Sequence, residues 1–252
     1  MNGQLVVHKS DDVKIIYQVD SEDDFFVTIK GVNHRIIKTV NKNELIDASE
    51  EEINKEIEYC DNYYRRVSSN NIRNSKKYIL GTILHIDGDD SYLKKCMELY
   101  DALGIFAYGI RIDENKMNES IAKLLEQVTP DIIVVTGHDS YNSKGLVNLE
   151  NYKNTKHFMD TVRTIRKYNS TCCIIAGACQ SNFEALIASG STFASSPKRI
   201  NIHTFDPAVI AIKVATTSFM KVVDFNGVIK YIEDGREAFG GVETLGKMRM
   251  LL

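Results

Sequence analysis

Apolar and polar positions alternate with a period of two through residues 1–48, and the period lengthens afterwards. Residues 5–7, 13–17, 25–29 and 35–40 are apolar-rich runs. Turn clusters separate them at Asp11-Asp12, Ser21-Glu22-Asp23-Asp24 and Gly31-Val32-Asn33-His34. The pattern predicts short strands. Several of them in so little chain predict a small β-barrel of SH3-like type over residues 1–48. Glu50-Glu51-Glu52 then opens a charged, weakly amphipathic helix. Arg65-Arg66-Val67-Ser68-Ser69-Asn70-Asn71 reads as a flexible linker, so residues 49–77 form a connector.

From residue 78 onward, strand-like and helix-like patterns take turns. Strands are predicted at 78–86, 105–112, 131–137, 172–178 and 193–195. Helices are predicted at 89–103, 114–128, 151–168, 180–189 and 206–217. Tyr92, Cys96, Leu99 and Leu103 share one face of the first helix, and Met117, Ile121, Leu124 and Val128 one face of the second. Gly190 closes the fourth helix and Pro207 suits the first turn of the fifth. This alternation predicts an α/β region over 78–252, a mostly parallel sheet with helices on both faces.

Composition narrows the class. A formal net charge of −3 gives no footing for non-specific nucleic-acid binding. Five cysteines, two of them adjacent in an apolar run, suit reduced thiols and not a disulfide framework. No signal-type start and no membrane-length apolar run stand out, so a cytoplasmic protein without membrane association is expected. There is no GxGxxG, no P-loop and no zinc-type Cys/His spacing, so no cofactor or metal is expected.

The candidate chemistry sits at strand ends. The run at 131–137 leads into His138, and the run at 172–178 leads into Cys179. One helix-length segment separates them, which makes the two strands parallel with a right-handed crossover. As neighbours they would lie about 4.8 Å apart. Both side chains would then emerge on one edge of the sheet. An imidazole beside a thiol is the least a cysteine nucleophile needs. A helix starting at Gln180 would lower the Cys179 pKa through its N-terminus. The Cys179 N–H, with Gly137 and Gly177 close by, offers backbone donors for an oxyanion. Asp87-Gly88-Asp89-Asp90 ends the first strand on the same edge, where one carboxylate caps a helix and Asp87 or Asp89 is placed to bind a cationic side chain or a metal. His85 and His203 are weaker candidates for a base, and His8, His34 and His157 read as structural or surface residues.

Several blocks in order resemble the YabG family of sporulation-specific proteases of spore-forming Firmicutes. They are Leu84-His85-Ile86-Asp87-Gly88-Asp89, Tyr92-Leu93-Lys94-Lys95-Cys96, Thr136-Gly137-His138-Asp139, Ala176-Gly177-Ala178-Cys179-Gln180-Ser181, Phe193-Ala194-Ser195-Ser196-Pro197, Asn201-Ile202-His203 and Gly240-Gly241-Val242-Glu243-Thr244. The resemblance implies a peptidase that processes spore coat and germination-related proteins and cleaves after basic residues. It also implies a place in the sporulating mother cell and then in the spore coat. The His-then-Cys order is similar to that of the caspase, gingipain and clostripain group, which implies a caspase-like fold with His138 and Cys179 as its dyad. In that group the P1 pocket draws on the end of the first strand, which corresponds to Asp87 to Asp90. Gly usually follows the histidine there; here Asp139 does, and Gly137 precedes it. Asp139 is then a candidate to orient the imidazole or to help bind a basic P1 side chain.

The expected function is a cysteine endopeptidase. Arg65-Arg66, Arg73 and Lys76-Lys77 in the linker are a candidate self-cleavage region. The competing readings are an amidase or glutaminase-like enzyme using His203 as its base, a non-catalytic coat scaffold, and metal chemistry at Asp87 and Asp89.

Overall fold

The computed structural model describes residues 2–11, 15–68 and 77–251. The period-two segment forms β1 (Leu5–His8), β2 (Tyr17–Glu22), β3 (Phe26–Gly31), β4 (Ile37–Asn41) and β5 (Leu45–Asp47). They make one five-stranded antiparallel sheet in the order β4-β3-β2-β1-β5. Val6, Tyr17, Val19, Val27 and Ile29 gather into a small core of their own, as alternate positions along a strand must. The second strand begins at Tyr17, where the pattern had it end; Val13 and Lys14 lie outside the described residues.

Helix α1 (Glu50–Ser68) follows. It continues through Arg65 and Arg66, which had been assigned to a linker, because Tyr63 and Val67 on its last turns are buried in the main core. Arg73 and Lys76 of the expected linker fall outside the described residues.

The runs Ile132–Val135 and Cys173–Ala176 are apolar at every position, the signature of strands covered on both faces. The expected first strand divides in two. β6 (Tyr78–Ile79) leaves to pair with β13 (Arg249–Met250), and β7 (Ile83–Asp87) enters the main sheet. Gly81 marks the break: a Cβ there would lie 2.6 Å from the Lys247 side chain and 3.2 Å from the Ala215 backbone. Next come α2 (Asp90–Ala102), β8 (Ala107–Arg111), α3 (Glu114–Leu125), β9 (Ile132–Thr136), α4 (Thr155–Tyr168), β10 (Cys173–Ala176), α5 (Phe183–Ala188) and β11 (Phe193–Ser195). After them α6 (Asp206–Thr216), α7 (Phe225–Ile229), α8 (Gly235–Ala238) and β12 (Phe239–Gly241) lead to β13.

The main sheet has six strands in the order β12-β11-β10-β9-β7-β8. All neighbours are parallel except β12, which runs antiparallel to β11. Leu84, Ile86, Ile133, Val135, Ile174 and Ala176 pack on one face with side chains of α3, α4 and α5. Ile83, Ile132, Val134, Cys173 and Ile175 pack on the other with α2, α6 and the end of α1. The expected α/β layering, a mostly parallel sheet between helices, is therefore present, together with a separate antiparallel sheet.

The antiparallel sheet rests on the carboxyl edge of the main sheet, through the turn between β3 and β4. The Arg35 N–H donates to the Ile202 carbonyl at 3.0 Å and the Thr204 N–H to the Asn33 carbonyl at 2.8 Å. From α2, the Tyr92 hydroxyl donates to the Gly31 and His34 carbonyls at 2.5 and 2.7 Å, and Lys95 Nζ to the Val32 carbonyl at 2.8 Å. Among the described residues, no helix is long and apolar enough to cross a membrane.

Candidate active site

β9 and β10 are hydrogen-bonded neighbours, in register from Cys173 opposite Ile132 to Ala176 opposite Val135. The pairing ends at Val135 and Ala176, and His138 and Cys179 each lie three residues beyond it. Both expected positions therefore follow the carboxyl ends of neighbouring parallel strands. No hydrogen bond joins the two side chains.

His138 is held on two sides. Its backbone N–H donates to a Glu114 carboxylate oxygen at 2.8 Å. That carboxylate lies against Gly88 and Gly137, where a Cβ would come within 2.2 and 2.5 Å of it. A side chain at either strand end would displace this carboxylate. The imidazole Nε2 lies 3.1 Å from Asp89 Oδ2, and the buried Nδ1 has no partner.

Asp89 caps α2. Its Oδ1 accepts the Ser91 and Tyr92 N–H groups at 2.9 and 3.2 Å, and the Ser91 hydroxyl at 2.6 Å. Its Oδ2 is shared between His138 and Lys30, whose Nζ comes from β3 and sits 2.6 Å away. Burial pushes this carboxyl upward, but the hydrogen bonds from His138, Lys30 and Ser91 outweigh it and hold the group well below the usual carboxylate range. Asp89 is thus ionised at every ordinary pH. An ionised carboxylate can only accept, so His138 Nε2 is the donor in this contact.

Asp87 lines no open pocket. It is fully buried, its Oδ2 takes the Arg35 Nη1 at 2.7 Å, and its Oδ1 accepts the Asp89 N–H at 2.9 Å. Burial would raise its pKa; Arg35 and His85 together hold it below the ordinary value. Arg35 is equally buried; its Nε and Nη2 donate to the Thr204 carbonyl at 3.2 and 3.1 Å, and Nη2 also to Cys96 Sγ at 3.5 Å. Asp139 is also enclosed. It accepts from the Ser140 and Asn154 N–H groups at 2.9 and 2.7 Å, from the Thr155 hydroxyl, and from Ser181 at 2.8 Å. Both its oxygens are occupied in tying β9 to α4 and to the turn after Cys179. The partner of the imidazole is Asp89.

Cys179 is completely buried. Its Sγ accepts the Ile202 N–H at 3.3 Å and faces the Ile202 carbonyl at 3.8 Å. Burial pushes the thiol up to about 12, against the pull of the Ile202 N–H. The sequence suggested the opposite direction, on the ground of a helix starting at Gln180. The helix starts at Phe183 and spans six residues, behind a turn in which Gln180 takes a positive φ of 59°. Gly177 turns the chain before it with φ 106°, and a Cβ there would lie 2.4 Å from Ser195 Oγ. His203 stacks on Tyr63 at 4.6 Å and accepts the Phe205 N–H through Nδ1; burial lowers its pKa. Among the described residues no three His, Cys, Asp or Glu side chains converge as a metal site would require.

The family model described as YabG peptidase U57 matches residues 1–252. The chain belongs to the YabG peptidase U57 family. The sporulation-specific protease YabG of Bacillus subtilis (strain 168) is 45% identical over 175 residues. The match covers 68% of this chain and 60% of that protein, so the chain spans less than two thirds of its relative. No solved structure matches. Within the YabG family frame, Arg35 and Lys30 are the residues sequence reasoning missed. Both come from the segment read as a separate barrel, and a lone basic residue beside an apolar run carries no sign of a partner far along the chain.

Proposed function

We propose that this chain is a cysteine endopeptidase acting in sporulation, with Cys179 as nucleophile and His138 as base. The observation that carries the reading is that His138 and Cys179 each lie just beyond the end of one of two neighbouring parallel strands, with the imidazole held by Asp89 and its Nδ1 left unpartnered. In the reaction, Nδ1 takes the thiol proton as Sγ bonds to the scissile carbonyl carbon. The C–N bond then breaks, and the imidazolium returns the proton to the leaving amine. Water hydrolyses the thioester by the same proton path. The Cys179 N–H and the backbone at Gly137 are the proposed oxyanion donors.

Asp89 serves as the positioning residue for His138. It is also the proposed acceptor for a P1 Arg or Lys, since an ammonium already sits on its Oδ2 and a substrate cation can replace it without breaking the His138 bond. The caspase-like character of the fold belongs to the same reading, as does the N-terminal sheet as an SH3-like barrel. Spore coat and germination-related proteins are the proposed substrates, met in the mother cell and the coat. The name of the Bacillus subtilis relative supports a role in sporulation.

A peptidyl chloromethyl ketone ending in Arg tests the site. One adduct on Cys179 is expected, abolished by Cys179→Ala and slowed in His138→Ala. An adduct rate unaffected by His138→Ala would remove the dyad.

A further inference from the structure

The turn after β3 brings two cations of the N-terminal sheet onto the two carboxylates that end β7. Lys30 Nζ is 2.6 Å from Asp89 and donates to Ser91 Oγ at 2.8 Å. Arg35 is 2.7 Å from Asp87. The same turn is sewn to the segment that covers the thiol. The Arg35 N–H binds the Ile202 carbonyl, whose own residue donates its N–H to Cys179 Sγ. Thr204 donates both its N–H and its hydroxyl to the Asn33 carbonyl, at 2.8 and 3.0 Å. Lys95 on α2 clamps the turn from below through the Val32 carbonyl and Asn33 Oδ1, each at 2.8 Å. The turn is tight, since a Cβ at Gly31 would lie 2.4 Å from the His34 carbonyl oxygen.

We infer that the N-terminal sheet is a built-in cap on the candidate site, with Lys30 standing where the cationic side chain of a substrate would sit. The inference rests on the peptidase reading above. A scissile carbonyl must come within about 3–3.5 Å of the nucleophile, and Cys179 has no exposed surface. Ile202, whose backbone holds the thiol, must therefore move, and its carbonyl is bonded to the Arg35 N–H. A substrate cation competes with Lys30 for one carboxylate oxygen, so cationic peptides favour the open form and other peptides do not. The buried Arg35–Asp87 pair holds the sheet in place, while the partly exposed Lys30–Asp89 pair is the weaker contact that a ligand can displace.

The test compares the full chain with Lys30→Ala and, separately, Lys95→Ala, which removes the clamp without touching the site. Iodoacetamide alkylation is followed at Cys179 by peptide mass mapping. Cys173, buried inside β10, reports global unfolding. Each variant is expected to speed Cys179 alkylation about tenfold, equal to about 1.4 kcal/mol of closed-state stability, with Cys173 unchanged. Lys95→Ala is also expected to raise kcat/KM on an Arg-terminated peptide. A Cys179 rate unchanged in both variants, or a rise shared equally by Cys173, overturns the cap. Alkylation needs no turnover. Faster labelling of Cys179 alone in variants that hydrolyse nothing would uphold the cap and count against the peptidase reading.

Discussion

Asp89 divides its two carboxylate oxygens between a helix and a histidine. Oδ1 caps α2, and Oδ2 meets Lys30 and His138. Asp89→Asn keeps an oxygen for the cap and places an amide against the imidazole, which favours the opposite tautomer. The expected outcome is a fall in kcat of about 10⁴, as for a triad carboxylate changed to its amide, with little change in Tm. Rate assays beside thermal unfolding check it. Asp206 carries a different signal. Burial raises its carboxyl to about 7, although the Tyr63 hydroxyl and the His203 N–H pull it down. The folded state thus keeps a proton that the unfolded chain releases near its ordinary value of 3.8. The stabilisation is full below that pH and is lost as pH rises through about 7. The difference in unfolding free energy between wild type and Asp206→Asn should therefore fall across that window, by at most about 1.4 kcal/mol per pH unit. Urea unfolding at several pH values reads it. The positions of Cys179 and His138 just past parallel strand ends were legible in the sequence, because each follows an apolar run. The burial of Cys179 under Ile202 was not legible, because 23 residues separate the two and no periodicity links them.

At the scale of elements, the alternation of patterns from residue 78 carried the parallel strands and their helices. The errors fell where a tertiary contact overrode the local pattern. The expected strand 78–86 breaks at Gly81 because Lys247 packs there, and the helix placed at Gln180 is delayed to Phe183. β12 and β13 escaped notice since each is only two or three residues long. The elbow between β10 and α5 depends on Gly177. Gly177→Ala meets both an unfavourable positive φ and a collision with Ser195 and Leu186. A loss of about 2–4 kcal/mol is expected from backbone strain and overpacking together, with Cys179 displaced. Equilibrium denaturation measures the first, and alkylation of Cys179 the second.

At the scale of the whole molecule, the two sheets are joined at Asp87 and Asp89, beside the candidate site. The N-terminal sheet was legible as a set of short strands, but its docking was not. The Arg35–Asp87 pair spans 52 residues of sequence and is visible only when the sheets are assembled. Arg35→Met leaves the Asp87 carboxylate buried without its cation. The expected destabilisation is about 3–5 kcal/mol, read in urea, and replacing Asp87 with Leu in the same chain should recover much of it. The proposed chemistry depends on the dyad. Its most direct test is hydrolysis of an Arg-terminated fluorogenic peptide by wild type, Cys179→Ala and His138→Ala, with folding checked by Tm. The account predicts cleavage by wild type and a loss of at least about 10³-fold in each variant. Wild-type rates in either folded variant would contradict it.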